Sequence, residues 1–448
     1  MKTKYQVLYK ELIKAYYNKE FEQTFERLLN EEFENKEEAK SVLSTLCGVD
    51  IDTQLDDYTF MQTLIHAITQ NKVKEKVIAK VHACTSDCEN VEGKSKCQSV
   101  CPFDAIIKIG EDKSIDETLC MSCGRCVTAC DAGHYMDVPQ FLPLSNLLKE
   151  NHNVVAIVAP AIAGQFGADA SLDKLREAFI KIGFSDMVEV AMAADVLSIK
   201  EALEFNHHVK KEGDFMITSC CCPMWVAALR KVYDKLVPDL SPSVSPMIAM
   251  ARILKKLNPE VKVVFIGPCI AKKAEAKEPD LVNDVDFVLT FQEVKLIFEA
   301  FDIHPSELQG VPSVDYASTG GRLYAHTGGV SEAVWDIIDQ LYPEKRKLFT
   351  SKQVDGMKDC KELLNELEKG NLHASFIEGM GCKGGCVGGP KAIIPASEGR
   401  EHVDITAYDS AIKIPVHSQV LTILLNKLGI EDFNALVEKG SMFERTFK

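Results

Sequence analysis

The chain has 448 residues, 46% of them hydrophobic and 26% charged, with a formal net charge of −15. That length is enough for roughly two or three domains with real cores, and the acidity argues against nucleic acid as the main partner, because phosphate binding needs clustered cations. The longest apolar run, around VVAIVAPAIAG, is too short to span a bilayer, and the charged amphipathic start is neither a secretory signal nor a transit peptide. A soluble, cytoplasmic protein without a membrane partner is therefore expected, and its sixteen cysteines point to metal rather than to disulfides.

Residues 1–78 read as a helical segment. YQVLYKELIKAYYNKEFEQTFERLL, EEAKSVLSTLCG and DDYTFMQTLIHAITQ place apolar residues three and four apart. Cys47 lies among apolar neighbours and reads as a core thiol. Residues 79–140 change to closely spaced cysteines and short strands. Residues 141–448 alternate apolar β runs with amphipathic helices: NVVAIVAP precedes SLDKLREAFIKIG, DFMITS precedes CPMWVAALRKV, and KVVFIG precedes PCIAKKAEA. That alternation predicts an α/β architecture with mainly parallel strands.

Within 79–140, Cys120, Cys123, Cys126 and Cys130 have the C-x2-C-x2-C-x3-C spacing of a bacterial ferredoxin run. The preceding half, Cys84-x3-Cys88-x8-Cys97-x3-Cys101-Pro, has an enlarged central loop but keeps the Cys-Pro ending. In two-cluster ferredoxins the fourth cysteine of each run serves the other cluster. The expected sets are thus Cys84, Cys88, Cys97 and Cys130 for one 4Fe–4S cluster, and Cys120, Cys123, Cys126 and Cys101 for the second. The alternative is a pair of zinc knuckles, which seldom repeat four cysteines at such spacings.

Three more motifs follow: TSCCCPMW at 218–225, GPCIAKKAE at 267–275 and EGMGCKGGCVGGP at 378–390. Together, and in this order behind a ferredoxin-like segment, they resemble the three H-cluster loops of the iron–iron hydrogenases, in a divergent branch with three adjacent cysteines in the first loop. The resemblance implies two lobes of mainly parallel strands around an H-cluster. Its cubane would be held by Cys222, Cys269, Cys382 and Cys386, and Cys386 would bridge to a di-iron unit bearing CO, cyanide and an azadithiolate. It also implies that Cys221 is the proton-donor thiol, that Lys272 anchors a cyanide, and that Pro160 and Met380 lie against the cofactor. Pro223 and Pro268 suit helix starts, where backbone N–H groups favour anionic ligands. Lys273 reads as a surface charge. Cys220, the extra thiol, reads as a packed, inert group rather than a redox or protective one.

Glu201 and Glu204 are three apart and share a helix face. They resemble the family's relay carboxylates, and Ser241 its relay serine, which implies a chain Glu204–Ser241–Glu201–Cys221. The competing reading is a solvated helix face. The pattern is broken at Gly267, where the second loop usually carries methionine, at Ala161, where a hydroxyl residue is common, and in a third loop shortened after Cys386. Tyr324 and TGGVSEA resemble the same domain. Cys360 and the eleven histidines show no ligand spacing, and NHHV at 206–209 reads as a polar helix end.

The implied activity is reversible proton reduction and H2 oxidation, with electrons exchanged with ferredoxin or a similar carrier through two 4Fe–4S clusters. Maturation proteins would provide the di-iron unit. Two other classes remain: a redox or H2 sensor with slow turnover, and an iron–sulfur assembly scaffold without the di-iron unit.

Overall fold

The computed structural model describes residues 1–84, 88, 93–110, 112–150 and 153–447. The chain opens with four helices, Thr3–Asn18, Phe21–Glu31, Lys36–Leu46 and Asp57–Thr69. The last two are started by Asn35 and Asp56, whose side chains accept backbone N–H groups of the first turn, satisfying donors that a helix leaves free. Their apolar faces do not form a separate core. Tyr9, Leu12, Phe25, Leu43 and Phe60 are buried in the same continuous cluster as the central strands of the α/β part. Tyr17 packs its ring on Phe141 and, at 4.5 Å between centroids, on Phe301.

The cysteine-rich stretch carries β1 (Ile78–Lys80), β2 (Ile106–Ile109), β3 (Asp112–Ile115) and β4 (Tyr135–Asp137). β1 pairs antiparallel with β4 and β2 with β3. The loops between them are tied by two short helices, Lys96–Ser99 and Arg125–Ala129.

The remaining strands are β5 (Val154–Val158), β6 (Asp186–Glu189), β7 (Met216–Ile217), β8 (Lys262–Gly267), β9 (Phe287–Thr290), β10 (Ser351–Asp355) and β11 (Phe376–Met380). They form two sheets, β6-β5-β8-β9 and β10-β11-β7, and every pairing in both is parallel. The expected α/β fold with parallel strands is thus observed. The inner strand β5 reads as an unbroken apolar run because both its faces are covered; all five of its residues are buried. Helix Ala191–His208 is buried along its length from Ala191 to Phe205, and only its end, His207 and His208, is exposed. Among the described residues no helix is long and apolar enough to cross a membrane.

In open parallel sheets ligands gather beyond the carboxyl ends of the strands. Here β5 ends at Ala159–Pro160, β7 at Thr218–Cys222, β8 at Pro268–Cys269 and β11 at Gly381–Cys386. All three cysteine motifs are therefore delivered by strand ends.

Candidate active site and iron–sulfur sites

The three adjacent cysteines diverge. Ser219 takes a positive φ of 69°, which turns the chain sharply after β7, and Cys222 becomes the N-cap of helix Pro223–Val232 with Pro223 at its start. Cys220 is buried against Trp225, Leu229 and Met357 and donates its S–H to the Ser241 carbonyl at 2.8 Å. Cys221 faces the main core and an internal space. Cys222 accepts the Gly381 N–H at 3.3 Å, a direct link between the first and third loops.

The four expected cubane thiols are brought together. Cys382 feels the charges of Cys269, Cys222 and Cys386, and Cys269 those of Cys222 and Cys386. Burial pushes the Cys269 thiol up to about 12 and the Cys386 thiol up to about 11. Four crowded, half-buried thiols have Lys272 near Cys269 and Cys386 and Arg125 near Cys382, too few cations for four thiolates, and a cluster that replaces their protons would provide the missing positive charge. The donor set therefore fits a cubane. Glycine permits the close approach: a Cβ on Gly385 would stand 2.8 Å from the His326 backbone, and one on Gly389 2.8 Å from the Pro268 carbonyl. Glu378 fixes the third loop by accepting the N–H groups of Gly328 and Ser331 at 2.7 and 2.9 Å and the Ser331 hydroxyl at 2.6 Å.

Beside Cys386 lies a small cavity of about 50 Å³ whose lining includes Pro160, Cys221, Phe265, Lys272, Met247 and Tyr324. Lys272 is buried and pairs with Glu275 at 2.6 Å. Burial opposes its charge, but Glu275 more than offsets that and holds the ammonium above its ordinary range. A small anionic group with apolar ligands fits such a space: one cation, two thiols, one tyrosine and otherwise apolar walls. Met380 is not among its lining residues; its side chain is buried in the main core. Two of the larger lining residues that sequence reading did not single out are Phe265 and Met247. Phe265 sits two positions before Gly267 on the same strand face, and Met247 comes from helix Pro246–Leu257.

Two expectations fail. Lys273 is not a surface charge: it is fully buried, bonded to Glu293 at 2.8 Å and to the Val138 carbonyl at 2.6 Å, because the helix Ala271–Glu275 is enclosed on the side facing residue 138. The solvated-face reading of Glu201 and Glu204 also fails, since both are buried; residues 191–205 are too apolar all round for a surface helix.

Ser241 donates to Glu204 Oε2 at 2.6 Å, while Glu201 takes the Thr218 hydroxyl. Burial raises the Glu201 carboxyl to about 8. Burial likewise pushes the Cys221 thiol well above its ordinary value, helped by Cys386 and Cys222. Glu204 is ion-paired to Lys200, a buried neighbour on the same helix. Sequence alone offered one signal for Lys200, a lysine inside an otherwise apolar helix.

In the cysteine-rich segment, Cys97 feels Cys88 and Cys130, whereas Cys126 feels Cys123, Cys120 and Cys101. Tyr135 stands between the two groups and feels Cys97, Cys126, Cys84 and Cys130. The thiols thus gather in the crossed grouping. Backbone N–H groups reach Cys101 from Ala105 at 3.2 Å, Cys120 from Ser122 at 3.4 Å and Cys130 from His134 at 3.3 Å. Among the described residues no three His, Cys, Asp or Glu close around a single-ion centre; cubane ligands stand on the corners of a larger body. The second group abuts the cubane thiols: Arg125 donates to the Gly381 carbonyl at 3.0 Å.

The family described as iron only hydrogenase large subunit, C-terminal domain, matches residues 152–390. The NADP-reducing hydrogenase subunit HndD of Solidesulfovibrio fructosivorans is 27% identical over 64% of this chain, which spans 58% of that protein. Iron hydrogenase 1 of Clostridium pasteurianum is 27% identical over 75% of this chain and 77% of its own length. Cytosolic iron-sulfur assembly component 3 of Rattus norvegicus is 25% identical over 78% and 85%. Among solved structures, apo [FeFe]-hydrogenase HydA1 from Chlamydomonas reinhardtii superposes with a TM-score of 0.53 at 21% identity, covering 63% of this chain and 93% of that one. With more than half of its length matched and its three motif loops converging at the strand ends, the chain belongs to the iron-only hydrogenase family, as a divergent member.

Proposed function

We propose that the chain is an iron–iron hydrogenase that interconverts two protons and two electrons with H2. The observation that carries this reading is the shared space on which Cys221, Lys272 and Cys386 converge. Cys222, Cys269, Cys382 and Cys386 would hold a cubane, and Cys386 would also join it to a di-iron unit. Once bound, that unit supplies the redox-active metal chemistry at which the H–H bond is made or broken.

The residues supply the rest. The Lys272 ammonium gives an anionic ligand a charge-assisted hydrogen bond in a low-dielectric site, where it is strongest. Pro160, Phe265 and Met247 keep water out. The Cys221 S–H faces the space and holds a proton at Sγ without permanent charge. Glu201, neutral up to about pH 8, stores a second proton behind it. Residues 79–140 would carry two 4Fe–4S clusters, taking electrons from ferredoxin or a similar carrier, and residues 141–448 would form the catalytic domain. Maturation proteins would deliver the di-iron unit.

A scaffold for iron–sulfur assembly is the second reading, favoured by the similarity to an assembly component at nearly the same identity. The test is protein matured with the di-iron unit, examined by infrared spectroscopy and an H2 assay. CO and cyanide bands with turnover support the enzyme. Their absence after maturation leaves a scaffold, and bands with negligible turnover favour a sensor.

A further inference from the structure

Lys200 is a buried charge that the reaction above does not use. It is only 1% exposed, and the sequence places it beside Glu201 and four residues before Glu204. Its ammonium bonds Glu204 Oε1 and, at 3.0 Å, Ser243 Oγ. Ser243 Oγ lies 2.9 Å from Ser241 Oγ, and Ser241 donates to Glu204 Oε2 at 2.6 Å.

With Glu204 ionised opposite the buried ammonium, donor counting gives this ring one direction. Lysine ammonium has three donors and no acceptor, and each serine hydroxyl has one proton to give. The Ser241 proton goes to Glu204, so the proton shared between the two serines belongs to Ser243. Ser243 in turn accepts from Lys200. Both routes from the ammonium therefore end on Glu204, whose two oxygens accept. A protonated Glu204 would instead give its O–H to Ser241 and turn the Ser241 proton onto Ser243, an arrangement that leaves the buried ammonium without a carboxylate. Glu201, three residues away, has no cation in contact and takes the Thr218 hydroxyl instead. The other ionisable groups facing this pair include Cys220, which feels both carboxylates and Lys200, Glu378 on β11, which acts on Glu201, and Cys221 and Tyr324, which both feel Glu201.

We propose that Lys200 is a positioning residue that holds Glu204 as a carboxylate and orients the Ser243–Ser241 hydroxyls toward it, so that the two buried glutamates occupy opposite protonation states. This deepens the proton-relay reading and rests on it for its role in turnover. The charge assignment itself does not. With a neutral inner carboxyl and an ionised outer one, a proton arriving from outside meets an acceptor at Glu204, and one leaving inward departs from a donor at Glu201. Two groups held apart in this way can pass a proton in sequence.

The test is infrared spectroscopy of protonated carboxyl groups in the purified full-length protein at neutral pH, which needs no turnover. Lys200→Met is expected to add one protonated-carboxyl signal that is absent from Lys200→Arg and from the Lys200→Met/Glu204→Gln double variant. Glu204→Gln alone is expected to remove no such signal from the wild-type spectrum. Either a folded Lys200→Met without a new signal or the loss of a signal in Glu204→Gln overturns the assignment; the second comparison holds even if Lys200→Met does not fold. In matured protein, Lys200→Met is expected to lower H2 turnover at least tenfold and Lys200→Arg far less. Unchanged turnover in Glu201→Gln would sink the relay reading while leaving the infrared result standing, so the two failures are distinguishable.

Discussion

A Cβ on Gly267 would stand 2.6 and 2.8 Å from two ring carbons of Phe265. These two residues lie on the same face of β8, and each excludes a side chain from the other. The position where the second loop usually carries methionine is thus compensated by an aromatic ring that lines the cavity wall. Gly267→Ala is expected to force the ring off its rotamer and to cost about 1–3 kcal/mol, read as a lower urea midpoint. Gly267→Ala/Phe265→Leu should recover most of that loss. Equal destabilisation in the single and double variants would show that the ring is not the obstacle.

Glu201 makes stability depend on pH in a defined direction. Burial raises its folded-state value to about 8 from 4.5, so between these values the folded chain keeps a proton that the unfolded chain has released. The unfolded state binds fewer protons there, and stability falls as pH rises through that window. Glu201→Gln cannot lose this proton. Its stability relative to wild type should therefore climb from pH 5 to pH 8 and level off above, measured by urea unfolding at several pH values. Parallel pH profiles for the two proteins would remove the raised carboxyl.

Lys273 and Glu293 form a buried pair that the motif did not announce. Lys273→Met leaves Glu293 buried without its cation, and removing one partner of such a pair costs about 3–5 kcal/mol. Lys273→Met/Glu293→Gln should be markedly more stable than the single variant. Chemical denaturation of the three proteins gives the coupling directly; simple additivity would mean that the pair contributes no interaction.

The parts legible in the sequence were those set by local rules. Alternating strand and helix patterns gave the parallel sheets, and Pro223 marked a helix start that the structure bears out. Motif order pointed to the cysteines that converge on the strand ends. What stayed hidden depends on which surface a residue meets after folding. Lys272 and Lys273 are neighbours on a short helix, yet one lines the cavity and the other reaches back to residue 138. No spacing rule distinguishes them. The helix Ala191–His208 was read for its carboxylates, but its apolar residues on every side were the better guide to burial. Phe265 was invisible because its role arises from the absence of a side chain two positions later.

Gly124 and Arg125 join the cysteine-rich segment to the second and third cysteine motifs. Gly124 has a positive φ of 76°, and a Cβ there would come within 2.2 Å of Ile270, the residue after Cys269. Arg125 bonds the Gly381 carbonyl, immediately before Cys382, and its charge is felt at both Cys123 and Cys382. One contact brings the segment close; the other places a permanent cation between two thiol groups assigned to iron. Gly124→Ala would meet both a left-handed backbone cost of about 1–2 kcal/mol and the Ile270 side chain. It is therefore expected to pry the segment away from Cys269. Arg125→Gln leaves that packing intact but removes the charge that favours added electrons, so the reconstituted clusters on both sides should become harder to reduce in an electron paramagnetic resonance titration. Arg125→Lys should retain much of that effect while losing the fork that reaches Gly381. If Arg125→Gln leaves both reduction potentials in place, the guanidinium is only a structural strut, and the electron route owes nothing to its charge.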